Sequence, residues 1–370
     1  MDSDDQQDLR KSVQEFLRAY SSTTAVRALM DSVPGYDPAV WRRISTELGL
    51  PSIAIPEEFG GAGAGMAELA VVFEEMGAAL LCAPYFSTVA FASHTVAASA
   101  DRPAMAELLP GLADGSMTAT VIINGHLGPW DPNSIDLRIR RHGGGYVVDG
   151  AAPMVLDGHT ADLLLVAARG DAGISLAAVR SGTSGVRHRP LARLDRTRSI
   201  SAIDFDCAAA TLIGDEGHAE PALRTATDLA TVALCAEQVG GAQRCLDAAV
   251  SYASTRIQFG RPIGSFQAVK HRCADMLVRL EGARSALRYA VATADSADRD
   301  ELRIASSVAK LAASEAFLHC AIDNMRTHGG IGFTWEHDAH LYFRRAKAGQ
   351  LMLGSPDWHA ERLARLIGDC

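Results

Sequence analysis

The C-terminal half of the chain is dominated by long stretches that favour helix and contain no internal break. Residues 222–255 include no proline and are rich in alanine, which predicts one long helix. A tight turn follows at QFGRPIG, and further helices are predicted at about 266–295 and 301–327. Long helices of apolar periodicity joined by short turns pack as an up-down bundle.

Two segments with other residue patterns precede this bundle. Residues 1 to about 109 carry apolar side chains at helical spacing, for example Val13, Phe16, Leu17 and Tyr20. Between about 118 and 213, short apolar runs such as TVIIN and DLLLVAA are separated by Gly, Asp and Pro, which predicts an antiparallel sheet or a small barrel. The chain is therefore predicted to be an α+β protein with a helical domain at 1–115, a central antiparallel β domain at 116–215 and a helical bundle at 216–370.

The charge balance bears on the kind of partner that the chain can bind. The 370 residues include 35 Lys and Arg and 44 Asp and Glu, which gives a net charge of −9. An acidic chain is a poor binder of a phosphate backbone. Aromatic residues make up only 6% of the chain, which also argues against a stacking platform for single strands. We therefore expect no nucleic-acid partner.

Cysteine usage and the N-terminus point to one compartment. No two cysteines form a CxxC pair, so we expect buried thiols in a reducing environment. The chain opens with acidic and polar residues, and no run of about 18 apolar residues predicts a membrane span. A cytoplasmic protein is expected. The cysteines are Cys82, Cys207, Cys235, Cys245, Cys273, Cys320 and Cys370.

Two local motifs suggest chemistry but are weak signals. GGAGAG at 60–65 lacks the GK[ST] of a phosphate-binding loop, so we interpret it as a loop before a helix. His337 and His340 in WEHDAH are three residues apart, but they lie outside any H-E-x-x-H pattern. We expect structural roles for both histidines and no metal site.

The segment RIQFGRPIGSFQAVKHRCADM at 256–276 is the most informative one. Arg256, Gln258 and Phe259 place a guanidinium, an amide and an aromatic ring at a tight reversal between two helices. Such a set suits a ligand with a phosphate and a ring, because Arg binds phosphate through two parallel hydrogen bonds. A plain interhelical turn, with Arg256 facing the helix dipole, is the alternative from residue types alone.

This segment closely resembles the flavin motif of acyl-CoA dehydrogenases. Three other segments agree in order and spacing: LGLPSIAIPEEFGGAGAGMAELAVVFEEMG, AEQVGGAQRCLDAAVSYA and THGGIGFTWEHDAHLYFRRAK. The resemblance covers essentially the whole chain. It implies an N-terminal helical domain, a central β domain and a C-terminal four-helix bundle, with FAD bound between subunits of a dimer that is often part of a tetramer.

The resemblance also assigns residues to the cofactor. It places Arg256, Gln258 and Phe259 against the adenosine diphosphate of an FAD held by a neighbouring subunit, with Phe266 and Gln267 lining the same region. A glycine turn is expected to approach the pyrophosphate, because glycine lets backbone N–H groups come close to phosphate oxygens. The family usually has Gln where this chain has Arg326, and the Arg326 cation is expected to serve the pyrophosphate through a different contact. The glycine turn that is expected to approach the pyrophosphate consists of His328, Gly329, Gly330 and Gly332.

The family reaction is α,β-dehydrogenation of an acyl-CoA thioester, in which a carboxylate removes the α-proton and flavin accepts the β-hydride. Both usual positions of that carboxylate are apolar here, because Leu353 aligns with one and Ala230 with the other. Glu237, two helical turns after Ala230, is the candidate for a relocated base, at about 10 Å along the helix axis. Asp228 and Asp357 are weaker candidates.

Other segments of the flavin-ring half also depart from the family pattern. The stretches INGHLGPWDPNSIDLR and GAAPMVLDGHTADLLLV lack the hydroxyl and tryptophan residues expected over the ring. Three interpretations stay open: an active homotetrameric dehydrogenase with a relocated base, the partner subunit of an α2β2 dehydrogenase of the kind used on steroid side chains, and a flavin-binding family member with another activity. An electron-transferring flavoprotein is the expected electron acceptor in the family.

Overall fold

The computed structural model describes residues 3–123, 127–296 and 298–368. It contains the order of helices, strands and helices that the sequence predicts. Helices occupy both ends of the chain and strands lie between them. The predictions of long helices at 222–255, about 266–295 and 301–327 are confirmed. The α-helices are α1 (Asp4–Tyr20), α2 (Thr23–Met30), α3 (Pro38–Thr46), α4 (Met66–Ala79), α5 (His94–Ala98), α6 (Arg102–Ala113), α7 (Glu220–Thr255), α8 (Gln267–Ala294), α9 (Arg299–His328), α10 (Ala339–Leu351) and α11 (Pro356–Gly368).

The central domain is a small barrel. Strand β4 pairs with β2 on one side and β5 on the other, and β3 and β7 close the ring between them. Most pairs are antiparallel as predicted, but both β1 and β2 run parallel to β4. The strands are β1 (Ala119–Ile122), β2 (Arg138–His142), β3 (Gly145–Leu156), β4 (Leu163–Gly170), β5 (Gly173–Arg180), β6 (Val186–Pro190), β7 (Ile200–Ile213), β8 (Ile257–Gln258) and β9 (Arg261–Pro262). The strands of the barrel lie within the predicted 116–215 segment, whose boundaries stay a prediction.

Helix α7 is the central element of the molecule. It packs on α4, α8 and α9, and its residues are buried on every side over much of its length, as expected of a helix enclosed by others. Two glycines permit the closest contact: a Cβ on Gly77 of α4 would lie 2.0 Å from the Glu237 carbonyl oxygen, and one on Gly240 would lie 1.8 Å from that of Glu74. The N-terminal domain is therefore held directly against the bundle.

A carboxylate from the bundle caps the N-terminus of α4. Gly65 occupies the cap position and has no side chain, and the backbone N–H of Met66 donates to both carboxylate oxygens of Asp295 at 3.0 and 3.2 Å. Capping satisfies a donor that the helix itself leaves unpaired and places a negative charge at the positive end of the dipole. Residues at the end of α8 thus fix the start of α4.

The prediction that all the cysteines are buried is wrong for Cys207, which is exposed on β7, and for Cys273, which is only half-buried on α8. Cys370 lies outside the described residues. The backbone of Cys207 has φ +48°, and its N–H donates to Asp149 at 2.7 Å. Arg140 donates to the thiol sulfur at 3.1 Å, so both the thiol and the backbone N–H of Cys207 have polar partners. No described helix combines the length and apolarity that crossing a membrane requires.

Candidate active site

The hairpin after α7 is a two-residue turn that projects an aromatic ring. Strands β8 and β9 pair Ile257 with Pro262 and Gln258 with Arg261, leaving Phe259 and Gly260 at the tip with φ of +52° and +74°. Positive φ at both positions is the mark of the turn that best matches strand twist. A bulky residue there is uncommon and strained, yet the Phe259 side chain is 92% exposed. Packing within this chain does not explain that conformation.

Cations and a second ring surround the tip. Arg261 lies over the Phe266 ring at 4.1 Å, and Phe259 meets the same ring edge-on at 6.1 Å between centroids. Arg256 ends α7 and is exposed, and no described carboxylate pairs with it or with Arg261. Gln267 begins α8, whose N-terminus has no side-chain cap, so the positive end of a 28-residue helix dipole also faces this region. The hairpin and the start of α8 thus bring cations and aromatic rings together beside an uncapped helix N-terminus.

The predicted glycine turn follows α9 directly. Gly329 has φ +69°, and a Cβ added to either Gly329 or Gly330 would meet no atom within 4 Å, so a ligand can approach the backbone closely. His328 is buried between Tyr252 and His337, with ring centroids 4.3 and 4.2 Å apart. Its Nδ1 lies 2.9 Å from the carbonyl oxygen of Asn324 in the helix. The ring therefore supports the turn from within.

The remaining predicted cofactor residues use some of their polar groups locally. Arg326 donates to Asp323 at 3.1 Å, although 60% of its side chain stays exposed. The Gln258 amide donates to the Ile257 carbonyl oxygen at 2.9 Å. A Cβ on Gly332 would lie 2.5 Å from the Met325 carbonyl oxygen, so that glycine serves the packing of the turn.

The Leu353 position, where the resemblance implies a catalytic carboxylate, is closed and mostly apolar. The Leu353 side chain is buried beside a cavity of about 20 Å³ that it shares with Phe91, Leu127 and Met154. Thr120 is the polar residue of the described lining, and its hydroxyl donates to the Leu156 carbonyl oxygen at 2.7 Å. A cavity of this size holds about one water molecule. The other position, Ala230, is fully buried in α7.

A buried polar network fixes the backbone around Leu353. Its N–H donates to the Leu127 carbonyl oxygen at 2.9 Å, and its own carbonyl oxygen lies 3.1 Å from Nε2 of the buried His359. Burial, with the Lys310 charge nearby, lowers the His359 pKa to about 3, so the ring is neutral. Lys310 is fully buried and donates to the carbonyl oxygens of Gly349 and Gln350, at 2.8 and 3.2 Å.

Glu237 lies in a cluster of four buried charges. Arg198 donates to both of its carboxylate oxygens at 2.6 and 2.7 Å, and Nε of Arg345 lies 3.1 Å from one of them. Arg345 also contacts Asp195 at 3.2 Å, and Asp195 accepts the Thr197 hydroxyl at 2.6 Å. The four side chains are each at most 7% exposed. Two positive and two negative charges compensate one another, as buried ions require.

A fifth ionisable group adjoins this cluster. Asp157 follows β3 with φ +52°, and its carboxylate accepts the Ser87 hydroxyl at 2.7 Å. Burial raises its pKa to about 6, against the opposing influence of Ser87 and Arg198. Asp157, Glu237 and both arginines line one cavity of about 20 Å³ at the junction of the three domains.

The weaker carboxylate candidates are separated from the Leu353 cavity. Asp228 is buried and paired with Arg362 at 2.7 Å, and it also accepts the Ser306 hydroxyl. Asp357 is exposed in the first turn of α11. Neither residue lines the cavity at Leu353, so the described lining contains no carboxylate.

Comparisons with known proteins agree with this architecture. The N-terminal domain model of the acyl-CoA dehydrogenases matches residues 3–116, and the C-terminal domain model matches residues 221–368. Acyl-CoA dehydrogenase IpdE2 of Mycolicibacterium smegmatis is 35% identical over 364 residues, which cover 98% of each chain. The chain belongs to the acyl-CoA dehydrogenase family. Members of this family are oxidoreductases that act on the CH–CH bond of acyl-CoA thioesters, so the chain is a dehydrogenase or a subunit of one.

Other acyl-CoA dehydrogenases resemble the chain closely. FadE34 of Mycobacterium tuberculosis is 34% identical over 96% of this chain and 47% of its own length. Among solved structures, the ChsE4–ChsE5 complex from Mycobacterium tuberculosis matches with a TM-score of 0.89 and 29% identity, over 100% of this chain and 99% of the matched one. The Tcur3481–Tcur3483 steroid ACAD matches with a TM-score of 0.87 and 29% identity, over 99% and 98%.

Sequence reasoning identified the hairpin but missed the buried ions. Arg198, Arg345 and Asp157 occur in segments with no pattern that marks them as interior, and each has a partner that is distant in sequence and lies in another domain. The sequence indicates the burial of Lys310 only weakly. This residue lies among small apolar residues in SSVAKLAAS, where one face of α9 must be buried. No local pattern indicated what its charge would contact.

Proposed function

We propose that the chain is the partner subunit of a heteromeric FAD-dependent acyl-CoA dehydrogenase. It donates its hairpin to an FAD held by a neighbouring subunit and leaves proton abstraction to that neighbour. The contrast between two parts of one chain carries this proposal. The hairpin exposes Phe259 beside Arg256 and Arg261, which pair with no described carboxylate, whereas Leu353 closes a small apolar cavity where the base would stand.

The residues of this chain fit one half of FAD. Arg256 and Arg261 suit a diphosphate, since guanidinium groups bind phosphate oxygens through paired hydrogen bonds. Phe259 and Phe266 offer ring faces to an adenine, and the open backbone at Gly329 and Gly330 admits a phosphate. When bound, FAD supplies the hydride acceptor for the dehydrogenation. The flavin-ring half lacks such a fit, because the only polar side chain in the described lining of the cavity at Leu353 is Thr120, whose hydroxyl already donates to Leu156.

The chain also lacks a free base in the described residues near that cavity. A general base needs an accessible lone pair within hydrogen-bond reach of the proton that it removes. Both carboxylate oxygens of Glu237 accept hydrogen bonds from Arg198, and Arg345 lies against the same group. We therefore propose a structural role for Glu237, as the anion that compensates two buried arginines.

The Leu353 backbone also lacks a free hydrogen-bond donor for a developing enolate. The thioester carbonyl oxygen requires preorganised donors where negative charge develops. The N–H of Leu353 is already bonded to the Leu127 carbonyl oxygen at 2.9 Å. This chain thus offers neither a free base nor a free backbone donor at Leu353.

The relatives support the heteromeric form of this proposal. The ChsE4–ChsE5 structure is a complex of two named chains, and the Tcur3481–Tcur3483 structure is named as a steroid ACAD. We propose a CoA thioester of a fatty acid or steroid side chain as the substrate of the assembled enzyme, which would be a cytoplasmic α2β2 tetramer. An electron-transferring flavoprotein would accept its electrons.

Separate and joint purification test this proposal. The chain is purified alone and together with a paralogous subunit that carries Glu at one of the two usual positions. We expect the chain alone to turn over a panel of acyl-CoA thioesters at least about 10²-fold more slowly than the pair, because it lacks the base. Flavin absorbance and activity are expected to appear together in the pair.

A variant of the paralogous subunit provides the control. Replacing its catalytic Glu by Gln should abolish turnover while the pair still retains FAD. A chain that alone binds FAD and oxidises an acyl-CoA at full rate would contradict the proposal.

A further inference from the structure

One histidine joins the start of α10 to the glycine turn at the end of α9. The backbone N–H of Ala339, the first residue of α10, donates to Nδ1 of His337 at 3.1 Å. Asp338 stands at the cap position, but its side chain makes no capping hydrogen bond. The His337 ring also stacks on His328, with the two ring centroids 4.2 Å apart. His337 therefore caps α10 and supports the glycine turn at the same time.

Arg27 of α2 holds the same corner from the N-terminal domain. Its guanidinium donates to one carboxylate oxygen of Asp338 at 2.9 and 3.0 Å and to the carbonyl oxygen of His337 at 3.1 Å. We call these three residues, Arg27, His337 and Asp338, the α10 latch. The segment between α9 and α10, residues 329–338, is mostly exposed. A segment with few buried contacts opens locally more easily than the core, so its order depends on the latch.

Only the neutral form of His337 makes this cap. A backbone N–H can only donate, so Nδ1 of His337 is the acceptor and carries no proton. In the imidazolium form both ring nitrogens carry protons and neither one accepts. A cation at this position would also oppose the positive end of the α10 dipole. Protonation of His337 therefore removes the cap and adds a repulsion.

The surroundings of His337 favour the neutral ring. Burial and the neighbouring His328 lower its pKa from the ordinary value of 6.5, as does Arg27, whereas Asp338 opposes them. The stabilisation from a neutral His337 is therefore present above about pH 6.5 and is lost as the pH falls through the lowered pKa. Burial also lowers the pKa of His340 on the next turn of α10, and its Nε2 lies 3.5 Å from Arg27. The other charged or titratable side chains described at this corner are Tyr252 beyond His328, Glu336 beside His337 and Arg344 against Trp335.

We propose that the α10 latch is sensitive to protons: it holds residues 329–338 at neutral pH and releases them in acid, when His337 takes up a proton on Nδ1. The consequence rests on the proposed function, which assigns the backbone of Gly329 and Gly330 to the FAD diphosphate. Acid thus loosens the cofactor site of the assembled enzyme with no change at the catalytic carboxylate of the neighbouring subunit.

Hydrogen exchange of the chain alone tests the latch through peptides that cover residues 329–345. Protection is compared at pH 7.5 and 5.5, after correction for the intrinsic pH dependence of exchange. We expect protection in the native chain to fall about tenfold in acid, which is the size of effect that follows loss of a helix cap. His337→Asn should stay protected at both pH values, because the Asn side-chain oxygen accepts from Ala339 and does not titrate. His337→Ala should show the low protection of the acid form already at pH 7.5.

His340→Gln and His218→Asn are the controls, and both should lose protection in acid as the native chain does. His340 does not supply the cap, and His218 is exposed before α7. Equal protection of the native chain at both pH values would overturn the inference, as would an acid loss that His337→Asn retains. An acid loss that only His340→Gln removes would assign the switch to His340 and also overturn it. Flavin uptake by the assembled pair at pH 7.5 is measured separately, and its absence would contradict the proposed function without altering the result for the chain alone.

Discussion

At the scale of single residues, the ionisable groups of the interior are the least expected feature of this chain. Glu237 bridges Arg198 and Arg345, and Asp195 completes a neutral group of four charges. Each ion is stabilised only while its partners remain, because an unpaired buried charge has lost its hydration without compensation. The removal of one carboxylate should therefore affect folding before it affects chemistry.

We expect Glu237→Gln to destabilise the chain by about 3–5 kcal/mol, since one negative charge would face two buried guanidinium groups. Urea unfolding of the purified chain measures this change. Gln is nearly isosteric with Glu, so loss of charge rather than of volume is tested. Unchanged stability with complete loss of turnover in the assembled enzyme would instead identify Glu237 as the base.

Asp157 gives the chain a predictable pH dependence. Its folded-state pKa of about 6 lies above the ordinary value of 3.8, so the folded state binds the proton more tightly than the unfolded state does. The resulting stabilisation is fully present below about pH 4 and is lost as the pH rises through 6, to a total of about 3 kcal/mol. Asp157→Asn removes the titrating group.

We therefore expect the stability of Asp157→Asn relative to the native chain to rise between about pH 4.5 and 7.5. The gain should be about 1–2 kcal/mol of the total of about 3 kcal/mol. Denaturant unfolding at several pH values measures the difference. Asp204→Asn, at an exposed position of β7, should show no such trend. A gain that is constant with pH would mean that Asp157 does not titrate in this range.

At the scale of elements, the β8–β9 hairpin presents a strained, exposed turn that packing within the described chain does not explain. Its tip holds Phe259 at φ +52° and 92% exposed, next to Arg256 and Arg261. Isolated two-stranded ribbons are marginally stable, so short strands of two residues depend on the helices that they join. Helices α7 and α8 thus hold a strained turn ready for a ligand.

Arg256→Ala should weaken flavin retention in the assembled enzyme by about 1.5–3 kcal/mol, or roughly 10- to 150-fold, through loss of a charge-assisted contact to phosphate. Flavin absorbance after gel filtration is the measurement. Arg42→Ala on α3 is the control and should retain flavin as the native chain does. Equal flavin content in both variants would remove the hairpin from the cofactor site.

At the scale of the whole molecule, the chain combines an exposed hairpin that carries cations with a closed apolar cavity at Leu353. Lys310 and His359 brace the turn that carries Leu353, and the N–H of Leu353 is bonded to Leu127. The closed site therefore depends on several elements and not on the identity of residue 353 alone. A single substitution should not convert it into an active centre.

We expect Leu353→Glu to remain inactive when purified alone. It should also be destabilised by at least about 1–3 kcal/mol, because a carboxylate would enter an apolar cavity whose described side chains offer it no free hydrogen-bond donor. Turnover of an acyl-CoA panel and urea unfolding measure the two effects. Leu353→Met is a volume-conserving control and should cost less than about 1.5 kcal/mol. Flavin binding and turnover by the isolated Glu variant would show that the chain holds a complete site of its own.

Much of this protein is determined by local sequence. The long helices α7, α8 and α9 follow from alanine-rich periodic stretches, and the barrel follows from short apolar runs between turn residues. The exposed hairpin is also local, because QFGRP allows few conformations. The apolar character of positions 230 and 353 can be read directly from the chain.

Only the tertiary structure decided what the buried charges do. Helical spacing could place Glu237 two turns beyond Ala230, but it could not bring in Arg198 from the loop before β7 or Arg345 from α10. Those contacts form only when the central domain closes against the helical bundle, where each ion is stable because the others are present. Periodicity reports which face of an element is buried, whereas the partners on that face depend on the whole fold.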